Sequence, residues 1–140
     1  MSATTAGQVQ ALVLLVDDEP AVCKLFQKVL QEEGYRTITA ASGREALALA
    51  RQAAPDLILL DIVMPEMSGV ETLRELRRRG HAAVVIMLTA QGSLQTAREA
   101  MLLGAYDYVT KPFNLEFLKT VLRAGLSERW GRRGEHECGC

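Results

Sequence analysis

Four short apolar runs in this chain end in residues that can do chemistry. The run 11–16 is followed at once by Asp17, Asp18 and Glu19. The run 57–60 closes on Asp61, the run 83–88 on Thr89-Ala90, and the run 106–109 on Thr110-Lys111-Pro112. If these runs are neighbouring strands, Asp17, Asp18, Asp61, Thr89 and Lys111 meet at one sheet edge. Carboxylates gathered without His or Cys make a hard-oxygen site, suited to Mg²⁺ rather than Zn²⁺. Without a cation, such like charges raise one another's pKa, and Lys111 offsets part of that charge. A phosphoryl group can dock against the metal, the Lys111 ammonium and the Thr89 hydroxyl. An aspartate held there can attack phosphorus and form an acyl phosphate.

The elements that must position these residues follow from hydrophobic pattern. Five runs (11–16, 35–40, 57–60, 83–88 and 106–109) alternate with five stretches of helical period. The first, third and fourth are almost wholly apolar, as in strands covered on both faces. The second and fifth carry Arg36, Thr37, Thr39 and Asp107, which predicts half-exposed edge strands. Helices are predicted over 20–33, from Ser42 to about Arg51, from Ser68 to about Arg79, over 93–103, and onward from Asn114. Pro20 suits a first helical turn and Gly34 a stop. Ser42-x-x-Glu45 and Ser68-x-x-Glu71 are capping boxes, and Asn114 is a cap. The predicted fold class is α/β: a doubly wound, five-stranded parallel sheet, (βα)5, in strand order 2-1-3-4-5.

Composition sets the outer bounds. A length of 140 residues fits one domain. Sixteen basic against seventeen acidic residues give a net charge of -1, which argues against a dedicated polyanion binder. No apolar run approaches the ~18 residues of a membrane span, and residues 1–10 do not read as a secretory signal. The expected location is cytoplasmic. Three cysteines (Cys23, Cys138 and Cys140) do not read as a disulfide framework. Residues 1–10 read as a lead-in, 11–126 as the domain, and 127–140 as the end of the last helix and a tail. No glycine-rich phosphate loop occurs, which argues against a nucleotide or flavin site on this type of fold.

At these strand ends the chain resembles the receiver domain of two-component response regulators, a CheY-like, flavodoxin-like fold. The matching segments are Val16-Asp17-Asp18-Glu19-Pro20, the stretch from Asp61 to Gly69, Thr89-Ala90, and the stretch from Gly104 to Phe113. The resemblance covers about residues 11–126. It implies that Asp61 accepts a phosphoryl group from a histidine kinase. It implies Mg²⁺ held by Asp18 directly, Asp17 through water, Asp61, and the Val63 backbone carbonyl. Thr89, the Ala90 amide and Lys111 then hold phosphoryl oxygens, and the Lys111–Pro112 bond is cis. Tyr108 is the implied aromatic switch, turning inward as Thr89 moves toward the phosphoryl group. The surface of helix 4, strand 5 and helix 5 then changes shape for an output protein or output domain, or for a homodimer. No turnover of an external substrate, no direct nucleic-acid contact and no membrane partner are implied. Val63 and Gln91 flank the path of the hydrolytic water, and the apolar Val63 predicts a long-lived phosphorylated state.

Taken singly, these residues have plainer readings. Asp17 and Asp18 can cap a helix, Lys111-Pro112 can be a turn, and Tyr108 can be half-buried packing. Their convergence at one edge is what favours a site. Arg74, Arg77, Arg78 and Arg79 read as a solvated helix face, and Cys23 as an inert, partly buried thiol. His136, Cys138 and Cys140 match no standard zinc spacing. Asp107 and Arg123 could pair across a dimer. Two other functions compete: a metal-dependent phosphatase with an aspartyl-phosphate intermediate, and an unphosphorylated interaction module. The first wants its nucleophile closing strand 1, in a D-x-D motif. The second wants lost acids or a lost lysine, and both are present here.

Overall fold

A computed structural model describes residues 10–89 and 94–138, with side chains through Arg129. Five strands and five helices alternate along the chain: β1 (Leu12–Val16), α1 (Pro20–Glu32), β2 (Arg36–Ala40), α2 (Gly43–Ala53), β3 (Leu57–Asp61), α3 (Gly69–Arg78), β4 (Val84–Thr89), α4 (Leu94–Leu102), β5 (Asp107–Thr110) and α5 (Leu115–Cys138). All strand pairs are parallel, in the order β2-β1-β3-β4-β5. The predicted order and the two partly exposed edge strands are both observed.

The pleat divides the core in two. Val13, Leu15, Leu57, Leu59, Ile86 and Leu88 point to one face, where α1 and α5 cover them with Phe26, Leu30, Leu118 and Leu122. Leu14, Val16, Ile58, Leu60, Val85 and Met87 point to the other, under Leu47, Leu73, Leu76 and Ala100 of α2, α3 and α4. Both faces of β1, β3 and β4 are therefore buried, which is why those runs lack polar alternation.

Helix ends follow their capping chemistry. Ser68 and Glu71 form the full reciprocal box at α3. At α2 the box is half made: Ser42 accepts from the Glu45 N–H, while Glu45 Oε1 accepts from Ala41 N–H, one residue upstream. Asn114 Oδ1 accepts from Phe117 N–H at 3.1 Å and opens α5.

Two stretches depart from the sequence expectation. Helix α5 runs to Cys138, through backbone that composition suggests is a tail. Arg129 ties the helix down just before that stretch. Its Nη1 donates to Ala82 O at 2.9 Å and its Nε lies 3.6 Å from Asp56 Oδ1. Asp56 Oδ2 in turn accepts from Leu12 N–H, so α5 is tied to the amino end of the sheet. The other departure is Arg77, which is not part of a solvated face. It donates to His81 O at 2.9 Å, Ala83 O at 3.0 Å and Gly104 O at 3.0 Å, joining the entry to β4 to the α4–β5 loop. Arg78 and Arg79 do pair with Glu75 at the surface, as such a face would.

Arg77→Met keeps the stem and removes the donors to all three carbonyls. It is expected to lower stability by about 2 kcal/mol. Urea denaturation checks this, and an unchanged midpoint would show the contacts to be dispensable.

Candidate functional site

Strand order brings the chemistry together. Val16 pairs with Leu60, so the next residues along, Asp17 and Asp61, are neighbours across the β1–β3 seam. The loop after β1 leads to α1 on one face, and the loop after β3 leads to α3 on the other. A crevice opens between loops that part in this way. Asp61 pairs with Leu88, and Thr89 pairs with Thr110. Lys111 N–H donates to Thr89 O at 2.8 Å, which carries the lysine to the same edge.

Asp17 is held by its own turn. Its Oδ1 accepts from Glu19 N–H at 2.9 Å, an Asx-type turn that leads into Pro20 and α1. Its Oδ2 is buried and has no hydrogen-bond partner. Asp17 and Asp61 are buried, whereas Asp18 is exposed. One carboxylate oxygen from each of Asp17, Asp18 and Asp61 lies within 4.8 Å of the others. The Lys111 ammonium stands 3.8 Å from Asp61 Oδ1, and Val63 N–H donates to that same oxygen at 3.4 Å.

The electrostatics follow from this geometry. Burial, and then the charge of Asp17, push the Asp61 carboxyl up from 3.8 to about 6, although Lys111 and the Val63 amide oppose the rise. Burial also raises Asp17, against the hydrogen bond from Glu19. A positive charge placed among these groups would relieve both the orphaned buried oxygen and the two carboxyls held above their ordinary range. The oxygen-only donor set fits a hard divalent cation such as Mg²⁺.

Gly69 fixes the far wall. A Cβ there would lie 2.2 Å from Asp61 O and 2.8 Å from Ile62 Cα, both backbone atoms. The glycine thus lets α3 start directly against the end of β3. Its N–H donates to Ile62 O at 2.8 Å.

The structure gathers Asp17, Asp18, Asp61, Thr89 and Lys111, as expected from the strand ends. The Lys111–Pro112 bond is cis. Thr89 is 1% exposed, and Tyr108, half-buried, packs into the core on the α2–α3–α4 side. Tyr108 pairs with Met87, two residues before Thr89. Ala90 and Gln91 lie outside the described residues, as does Ser93. So do the side chains of His136 and Cys138, and Cys140 entirely. Arg123 pairs with Glu33 at 3.8 Å, and Asp107 Oδ1 accepts from Tyr108 N–H, so each has a local partner.

Sequence reasoning named Gly69 and Phe113 only as ends of matching segments and gave them no role; Cys23, read as an inert, partly buried thiol, is found buried beside the site. Cys23 is buried, with Sγ 3.5 Å from Asp17 O. Burial, followed by the charge of Asp17, pushes its thiol up, in keeping with an inert role.

Comparison with known proteins identifies the class to which this sheet and its carboxyl-edge cluster belong. Residues 13–123 match the family model of the response regulator receiver domain. The chain belongs to that family. It is 40% identical over 114 residues to the probable transcriptional regulatory protein TcrX of Mycobacterium tuberculosis, covering 81% of this chain and 49% of that protein. It is also 40% identical over 114 residues to the regulatory protein AtoC of Escherichia coli, covering 81% of this chain and 25% of AtoC. Among solved structures it resembles the receiver domain of NtrX from Brucella abortus (34% identity, TM-score 0.78, 82% of this chain and 98% of that one). It also resembles the chemotaxis protein CheY4 of Vibrio cholerae (39% identity, TM-score 0.76, 82% and 98%). The chain spans half or less of the length of these curated relatives. No helix among the described residues is long and apolar enough to cross a membrane.

Proposed function

We propose that this receiver domain accepts a phosphoryl group on Asp61 from a histidine kinase and passes the signal on by a change of surface. One observation carries the reading: three carboxylates within 4.8 Å of one another, with an ammonium 3.8 Å from the buried one. Asp17, Asp18, Asp61 and the Val63 carbonyl would hold Mg²⁺. The ion, when bound, supplies positive charge against the carboxylates and the phosphoryl oxygens.

The chain's own groups do the rest. An Asp61 oxygen attacks phosphorus in line with the leaving group. The bond from phosphorus to the kinase imidazole breaks, and its electron pair returns to the ring nitrogen. With acetyl phosphate as donor, acetate leaves instead. Lys111 holds a phosphoryl oxygen as charge moves to Asp61, and the Thr89 hydroxyl and Ala90 amide hold the others. The domain is an acceptor and turns over no external substrate.

Phosphorylation adds about 1.5–2 negative charges at the β3 edge. Thr89 moves toward them, and Tyr108 follows into the space on the same face. This shifts a two-state population. The surface affected already presents apolar side chains: Leu94, Met101 and Leu102 on α4 and Phe117 on α5 are exposed. An output domain, an output protein or a second copy can dock there.

The test is incubation with acetyl phosphate with and without a chelator, followed by peptide mapping of the base-labile label. Label on the peptide containing Asp61, and only with Mg²⁺ present, is expected. Label elsewhere, or label insensitive to the chelator, would contradict the reading. The bound phosphoryl group should then persist for minutes or longer. Val63 projects beside Asp61, 65% exposed, and its isopropyl group cannot orient a water. Quench-flow loss of the label within seconds would refute that expectation.

A further inference from the structure

Lys111 has a flexible four-carbon stem, and at 3.8 Å its ammonium makes no hydrogen bond to Asp61 Oδ1. The ammonium lies over the Phe113 ring, whose centroid is 5.9 Å from Nζ, within reach of a cation–π contact. Phe113 is itself half-buried and meets Phe26 edge to face, with centroids 5.0 Å apart and planes at 64°. Phe26 is 2% exposed, in the core that includes Leu15, Leu30 and Leu59. A buried core ring therefore supports a half-buried ring, and that second ring flanks the lysine.

We propose that Phe26 is a positioning residue for Lys111, acting through Phe113 to aim the ammonium at a phosphoryl group on Asp61. The inference rests on the reading of Lys111 as a phosphoryl-binding group. Phe26 touches neither Lys111 nor the acids. It lies on α1, the helix that begins directly after the acid loop. One helix thus sets both halves of the site: the carboxylates at its start, and the lysine through a ring in its second turn. A leucine at 26 fills the core but offers no ring edge to Phe113.

The test is the rate of phosphorylation by acetyl phosphate at saturating Mg²⁺, read by intact mass. Wild type, Phe26→Leu, Phe113→Leu and the double variant are compared, and Phe26→Leu and Phe113→Leu are each repeated on a Lys111→Ala background. Each single variant is expected to slow labelling about fivefold. The double variant is expected to be no slower than either one, since both act on one contact chain. On the Lys111→Ala background neither substitution changes the residual rate. Mg²⁺ affinity, followed by the amide shifts of Asp17 and Asp61, stays at the wild-type value. A full rate in Phe26→Leu, additive losses, or the same fivefold loss without Lys111 would overturn the inference. If Phe26→Leu fails to fold, Phe26→Met takes its place: slowing that disappears on the Lys111→Ala background supports the inference, and a full rate overturns it. An unlabelled wild type overturns the acceptor reading itself, and this inference with it. A labelled wild type with a full-rate variant overturns only the inference.

Discussion

Asp61→Asn is expected to stabilise the metal-free protein by about 2 kcal/mol near neutral pH and to change nothing near about pH 4. The folded carboxyl holds its proton to about 6 instead of 3.8, chiefly because it is buried and lies beside Asp17. Between those values the folded state binds more protons than the unfolded chain. Stability therefore falls as pH rises through that window, and the deficit persists above it. Asparagine keeps the shape and never ionises, so it escapes the deficit. Mg²⁺ works against this deficit. It binds only the folded wild type tightly, stabilises it by mass action, and narrows the gap. Urea denaturation of both proteins across this range, with EDTA and then with Mg²⁺, checks both halves. A gap that does not vary with pH, or a less stable variant near neutral pH, would contradict the assigned electrostatics.

Gly69→Ala is expected to cost about 3 kcal/mol and to slow phosphorylation of Asp61 as well. The new Cβ would lie 2.2 Å from Asp61 O and 2.9 Å from Asp61 C, and no rotamer change can relieve a backbone overlap. Either α3 lifts from the sheet or the end of β3 moves, and both displace the Asp61 carboxylate. The buried Val70 and Leu73 resist the first route, because moving them opens the core under α3. A loss of stability below about 0.5 kcal/mol would show that this wall is softer than the contact implies. Denaturation and labelling rate should fall together, since one displacement causes both.

Much of this was legible before any coordinates. The fold followed from 11–16, 57–60 and 83–88 being apolar throughout while 35–40 and 106–109 were mixed, because buried and edge strands differ in that way. The carboxyl-edge set followed because Asp17, Asp61 and Thr89 each come directly after a strand run, and Lys111 follows another after one residue. What stayed hidden depends on contacts between distant parts of the chain. Phe26 looks like any core residue of an amphipathic helix until Phe113, 87 positions away by number, is placed against it. Gly69 reads as an ordinary helix start, since the atoms it makes room for belong to another element. Arg77 sits in a run of arginines, and only the fold shows three carbonyls converging on it. Arg129 likewise finds Asp56 and Ala82 only once α5 crosses the foot of the sheet.

The most direct test of the central claim is intact mass after incubation with Mg²⁺ and acetyl phosphate, for wild type and Asp61→Asn. The account predicts one added phosphoryl group on wild type and none on the variant. Equal labelling of the two proteins, or no labelling of wild type with Mg²⁺ binding confirmed, would contradict it.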